Sequence, residues 1–111
     1  AVPDPRLETI AKIGGSQIVF TSVTLGDHRR ADFVKFEQRI ARYEELVECH
    51  LVSGGFDYLL KFVVRGIAEY QAMMEEILES DIGISKYFSY IVIKTVAARG
   101  QPSVRLHLPA P

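Results

Sequence analysis

Glycines, an acid and aromatic rings converge at one place in this chain, Glu48-Cys49-His50-Leu51-Val52-Ser53-Gly54-Gly55-Phe56-Asp57-Tyr58-Leu59-Leu60-Lys61. Backbone N–H groups around Ser53, Gly54 and Gly55, with little side chain in the way, can hold a carboxylate. Asp57 can pair with an ammonium group. Leu51, Phe56 and Tyr58 can border a pocket for an apolar side chain. Together these residues suit a small zwitterionic ligand. They also suit a plain β-hairpin in which Asp57 only caps the turn by accepting backbone N–H bonds. Spacing alone leaves both readings open.

Other chemistry finds less support. The three histidines, His28, His50 and His107, fall in a turn, a strand and the tail, with no His-x-x-x-His or Cys-x-x-Cys spacing. Cys49 and His50 are adjacent on a strand and therefore point to opposite faces, so neither a metal site nor a Cys/His nucleophile pair is expected. No Walker, dinucleotide-binding or nucleophile-elbow pattern is present. Glu44-Glu45 and Glu75-Glu76 read as surface charges. No cofactor and no enzymatic activity are expected.

The elements that must position the turn follow from periodicity. Val47, Cys49 and Leu51 alternate with Glu48, His50 and Val52, then Ser53-Gly54-Gly55 breaks the pattern. Tyr58, Leu60, Phe62 and Val64 resume it, giving strands over 46–52 and 56–64 joined by a tight turn. Upstream, 17–25 is rich in β-branched residues and reads as a strand. Phe33, Phe36, Ile40 and Tyr43 form the stripe of an amphipathic helix over 30–43. Tyr70, Met73, Met74, Ile77 and Leu78 mark a second helix over 67–79, and 84–96 is expected as the longest strand. The order β-α-β-β-α-β with right-handed crossovers gives an α+β, ferredoxin-like fold: a four-stranded antiparallel sheet with both helices on one face. Along the last strand Tyr87, Ile91 and Ile93 alternate with Phe88, Tyr90 and Val92, so both faces are apolar. The face without helices is expected to be buried by sheet-to-sheet dimerisation.

With 111 residues, one domain is expected, flanked by a proline-containing arm over 1–16 and a tail over 98–111 in which Val104, Leu106 and Leu108 could form a short edge strand. The opening Ala1-Val2-Pro3-Asp4-Pro5 lacks an initiator Met, so the chain is expected to be an excised piece. The net charge of −1 argues against this segment gripping DNA by itself. A single cysteine fits a reducing, cytoplasmic setting. No apolar run approaches the ~20 residues of a membrane helix, and no secretory signal opens the chain.

The 48–61 stretch resembles the C-terminal effector domain of Lrp/AsnC transcriptional regulators, whose pattern there is strand, Gly-Asp-Phe/Tyr-Asp-Tyr, strand. The likeness continues through Val63-Val64-Arg65-Gly66-Ile67-Ala68-Glu69-Tyr70 and Tyr90-Ile91-Val92-Ile93-Lys94-Thr95-Val96. The resemblance implies an effector-binding and oligomerisation domain over 17–97. It implies a missing N-terminal helix-turn-helix domain that would carry all DNA contact, with 1–16 as the end of the hinge. It also implies homodimers assembling into tetramers or octamers, and an amino-acid effector bound between dimers. Carried over by motif, the effector site would comprise Leu51, Ser53, Gly54, Gly55, Phe56, Asp57 and Tyr58, with Ile67 and Tyr90 at its border. One departure stands out: the family often has an acid where this chain has Gly55. Alternatives are a stand-alone effector domain that modulates other regulators, an ACT-like regulatory domain, and a small dimeric ferredoxin-like enzyme.

Overall fold

A computed structural model of the chain describes residues 15–100. The elements run β1 (Gln17–Leu25), α1 (Arg30–Ile40), β2 (Leu46–Leu51), β3 (Tyr58–Val64), α2 (Ile67–Glu79) and β4 (Ile84–Ile91). The sheet order is β2-β3-β1-β4, and every pairing is antiparallel. This is the expected βαββαβ arrangement. The arm and the possible edge strand at Val104–Leu108 fall almost wholly outside the described residues.

The period-2 pattern sets the core. Val19, Thr21, Val23 and Leu25 of β1 are buried, as are Tyr58, Leu60, Phe62 and Val64 of β3. They meet Phe36 and Ile40 of α1 and Tyr70, Met73, Met74 and Ile77 of α2. α1 begins where the Arg29 N–H donates to Asp32 Oδ2 at 3.0 Å, which satisfies one donor that the helix leaves free.

Several details differ from those read in the sequence: β2 ends at Leu51 rather than 52, β3 begins at Tyr58 rather than 56, and three further differences follow from hydrogen bonding. α1 ends at Ile40, not Tyr43, because the Arg42 and Tyr43 N–H groups bond back three residues, to Arg39 and Ile40, and tighten the last turn. β4 ends at Ile91, not Val96, because its ladder with β1 is paired only as far as Val19 opposite Ile91. The last bond is from the Val92 N–H to Ile18 O at 2.9 Å, and 92–98 then runs over the helix-free face beside Ile18 and Phe20. In β2, Leu46 pairs with Phe62 while Glu48 pairs with Lys61. Val47 is therefore the extra residue of a bulge and half-exposed, and the alternation expected to include it begins only after it.

Register puts Phe20 beside Tyr90 and Ser22 beside Phe88 on the face away from the helices. Phe88 and Tyr90 are 55% and 56% exposed there, and the Lys61 ammonium lies 5.9 Å from the Phe20 ring centre. The helix-free face is thus aromatic and open along its centre.

Candidate functional site

The β2–β3 turn is closed by the Val52 N–H donating to the Asp57 carbonyl at 2.9 Å. Ser53, Gly54 and Gly55 are exposed at its tip. Gly54 has φ +155°, a conformation that side chains disfavour, whereas Gly55 does not have a positive φ. A Cβ built on Gly55 meets nothing within 4 Å. An acidic side chain would fit at 55, so the departure from the family's pattern removes charge and leaves the turn's geometry alone.

Asp57 joins three strands and a turn. Its N–H donates to Val23 O at 2.9 Å. Its Oδ2 accepts the Leu25 N–H at 2.8 Å and contacts His28 Nε2 at 2.8 Å. Burial pushes the Asp57 carboxyl up, but the Leu25 N–H and His28 outweigh that and hold it below its ordinary 3.8. A carboxyl depressed on folding stabilises the fold above its unfolded pKa, and that stability is lost as pH falls through the folded value. The chain is therefore expected to lose stability below about pH 4 by an amount that Asp57→Asn lacks. Urea titrations of both proteins between pH 6 and 2 test this; curves that stay parallel throughout would rule it out.

Tyr58 points the other way, into the core. It is 1% exposed, stacks on Phe36 at 4.5 Å between ring centres, and donates its O–H to Glu37 Oε2 at 2.5 Å. Burial, then the Glu37 carboxylate, pushes its phenol well above the usual range. Tyr58 and Leu51 border a slot of about 210 Å³ with Glu37, Ile40, Leu46 and Cys49. Phe56 is not part of that slot. Burial and Glu37 push the Cys49 thiol up, away from the thiolate that reactivity requires. His50 lies on the opposite face, 2.9 Å from Glu48. Among the described residues no cluster of three metal-ligating side chains occurs.

Ile67 belongs to a separate trough of about 460 Å³ between α2 and the edge strand β4, with Tyr70, Gln71, Glu75, Tyr87 and Ser89. Its floor is polar: the Tyr70 hydroxyl bonds Thr21 Oγ1 at 2.8 Å and also Ser89 Oγ. The volume lies in the range of small-molecule sites. Tyr90 is on the helix-free face, away from both. Within one chain, then, the turn residues stand together, while Ile67 and Tyr90 stand elsewhere. β3 separates the turn from Ile67, and seven residues at about 3.3 Å each put them about 20 Å apart.

Two residues at the turn were not legible in the sequence. His28 and Glu37 reach it from the β1–α1 connection and from α1, 29 and 21 positions before their partners. No local pattern marks a contact of that kind.

Comparison with known proteins agrees with this geometry. A family model described as "Lrp/AsnC ligand binding domain" matches residues 18–102. The transcriptional regulatory protein DoeX of Halomonas elongata is 44% identical over 78 residues, covering 70% of this chain and 49% of that protein. The chain spans between 49% and 60% of the length of the first curated relatives it matches. Among solved structures, an AsnC family transcriptional regulator from Agrobacterium tumefaciens superposes with TM-score 0.75 at 26% identity, covering 97% of this chain and 67% of that one. A transcriptional regulator of Neisseria meningitidis, solved as its L-Met complex, has the same fold with TM-score 0.71 at 20% identity, over 96% and 66% of the two chains.

Proposed function

The chain belongs to the Lrp/AsnC ligand-binding-domain family, and on that footing we propose that it senses an amino acid for a transcriptional regulator and assembles it into oligomers. The observation that carries the reading is the split of the candidate site. The resemblance assigns both the turn at 51–58 and Ile67 to the surroundings of the effector, yet they lie at opposite ends of β3, about 20 Å apart. One small ligand touches both only if two chains supply them. The turn of one dimer, offering N–H groups at Ser53–Gly55, would face the α2–β4 trough of another, which offers hydroxyls and the Glu75 carboxylate. That a fold-level neighbour from Neisseria was solved as its L-Met complex supports an amino acid as the ligand class proposed here.

Dimers in this reading form through the helix-free sheet face and build into tetramers or octamers. DNA contact belongs to a helix-turn-helix domain outside this segment, in keeping with a net charge of −1, and the setting is cytoplasmic. Among the described residues no helix is long and apolar enough to cross a membrane. The ligand acts by binding one assembly state better than another; a 100-fold preference is about 2.7 kcal/mol of coupling.

Thermal-shift screening with all twenty L-amino acids tests this. A ligand at 100 times its Kd adds about 2.7 kcal/mol, a rise of several degrees for a domain this size. The same ligand is expected to change the sedimentation coefficient. A screen in which no amino acid raises the Tm defeats the reading.

A further inference from the structure

The turn's acid has two donors on one oxygen. Asp57 Oδ2 accepts the Leu25 N–H and lies 2.8 Å from His28 Nε2, while the Asp57 main chain bonds Val23 and Val52. The side chain is 22% exposed, and His28, at 52%, covers it on the solvent side. A ligand ammonium aimed at Oδ2 would have to approach where the imidazole stands. The charges beside His28 are engaged with one another: Arg29 Nε bonds Asp32 Oδ2 at 2.9 Å, and Arg29 lies 4.0 Å from Asp27. The ring is further bounded by Phe33, whose centre is 5.9 Å away. His28 is thus the only side chain among the described residues that hydrogen-bonds Asp57.

We infer that His28 is a positioning residue for effector recognition, holding Asp57 as the pin of the β2–β3 turn, and that Asp57 Oδ2 is not the seat of the ligand's ammonium group. The inference rests on the amino-acid-sensing reading above for its functional consequence. An imidazole N–H on Asp57 fixes the carboxylate on Leu25, which fixes the last residue of the turn against β1. The exposed N–H groups of Gly54 and Gly55 are then presented in one arrangement before the ligand arrives, which reduces the ordering cost of binding.

The two roles of Asp57 predict opposite signs for one substitution. If Asp57 Oδ2 received the ammonium group, His28 would compete with the ligand and His28→Ala would bind it as tightly or tighter. If Asp57 is the pin, His28→Ala binds about tenfold weaker, and His28→Gln, whose amide N–H can reach the same oxygen, recovers most of the loss. The measurement is calorimetric titration of the 111-residue chain with whichever of the twenty L-amino acids raises its Tm most. Alongside it, amide hydrogen exchange is followed at Leu25, Gly54 and Gly55 without ligand. Undiminished affinity in His28→Ala, or a loss that Gln does not repair, overturns the inference. If no amino acid binds the wild-type chain, the sensing reading falls by itself and exchange decides the rest. Faster exchange at Leu25 and Gly54 in His28→Ala sustains the positioning role, and unchanged exchange removes it.

Discussion

Replacing Phe88 and Tyr90 together by Glu is expected to leave the chain monomeric at micromolar concentration, whereas the unaltered chain is expected to sediment as a dimer or larger. The two rings are more than half exposed on a sheet face that no helix covers, next to Phe20 in the central strand. An aromatic anchor at the centre of an interface is worth about 2 kcal/mol. A two-fold interface uses each anchor twice, so the double substitution costs about 8 kcal/mol in all. That moves a nanomolar dimer, at about −12 kcal/mol, to the millimolar range. Sedimentation velocity across a concentration series reads the change. Circular dichroism should be unaffected, because neither side chain contributes to the core. A double variant that remains dimeric would mean that the helix-free face is not the interface.

Tyr58→Ala is expected to cost about 3–5 kcal/mol of folding stability, the range for deleting a buried ring. Against a total of about 5–15 kcal/mol for a small domain, this leaves the variant marginal. Tyr58 is 1% exposed, stacked on Phe36 and set edge-on to Phe33 at 6.1 Å. Tyr58→Phe retains the ring and loses only the bond to Glu37, whose carboxylate can still reach water. It should cost about 1 kcal/mol. Urea denaturation of the three proteins tests the pair. The same experiment separates two roles that the motif leaves merged. A pocket-lining Tyr58 would lose ligand at little cost in stability; a core Tyr58 loses the fold first.

Much of the architecture was legible because it depends on local period. Alternation of Tyr58, Leu60, Phe62 and Val64 marks a strand with one buried face, and all four are buried. The stripe of Tyr70, Met73, Met74, Ile77 and Leu78 marks a helix; the first four face the core, while Leu78 is exposed. Where the reading slipped, the missing information was a partner. β4 stops at Ile91 although Val92, Ile93 and Val96 continue its apolar run, because beyond the Val92 bond to Ile18 the segment leaves the ladder with β1. Val47 fits an alternating pattern but is expelled into a bulge by the register of β2 on β3.

The amino-acid sequence by itself determined the element order, the side of β3 that enters the core, and the glycine-bearing turn that the family pattern singles out. These are encoded in neighbours along the chain, through the 3.6- and 2-residue periods and through the conformational freedom of Gly54. Only the tertiary structure decided what the turn's residues do. Asp57 and Tyr58 are adjacent in sequence, yet one side chain reaches across to Leu25 and His28 and the other enters the core beside Phe36 and Glu37. Successive strand residues point to opposite sides, and their partners arrive from 21 to 32 positions away. The same rigidity of β3 separates the turn from Ile67 and makes a second chain necessary if both are to hold one ligand.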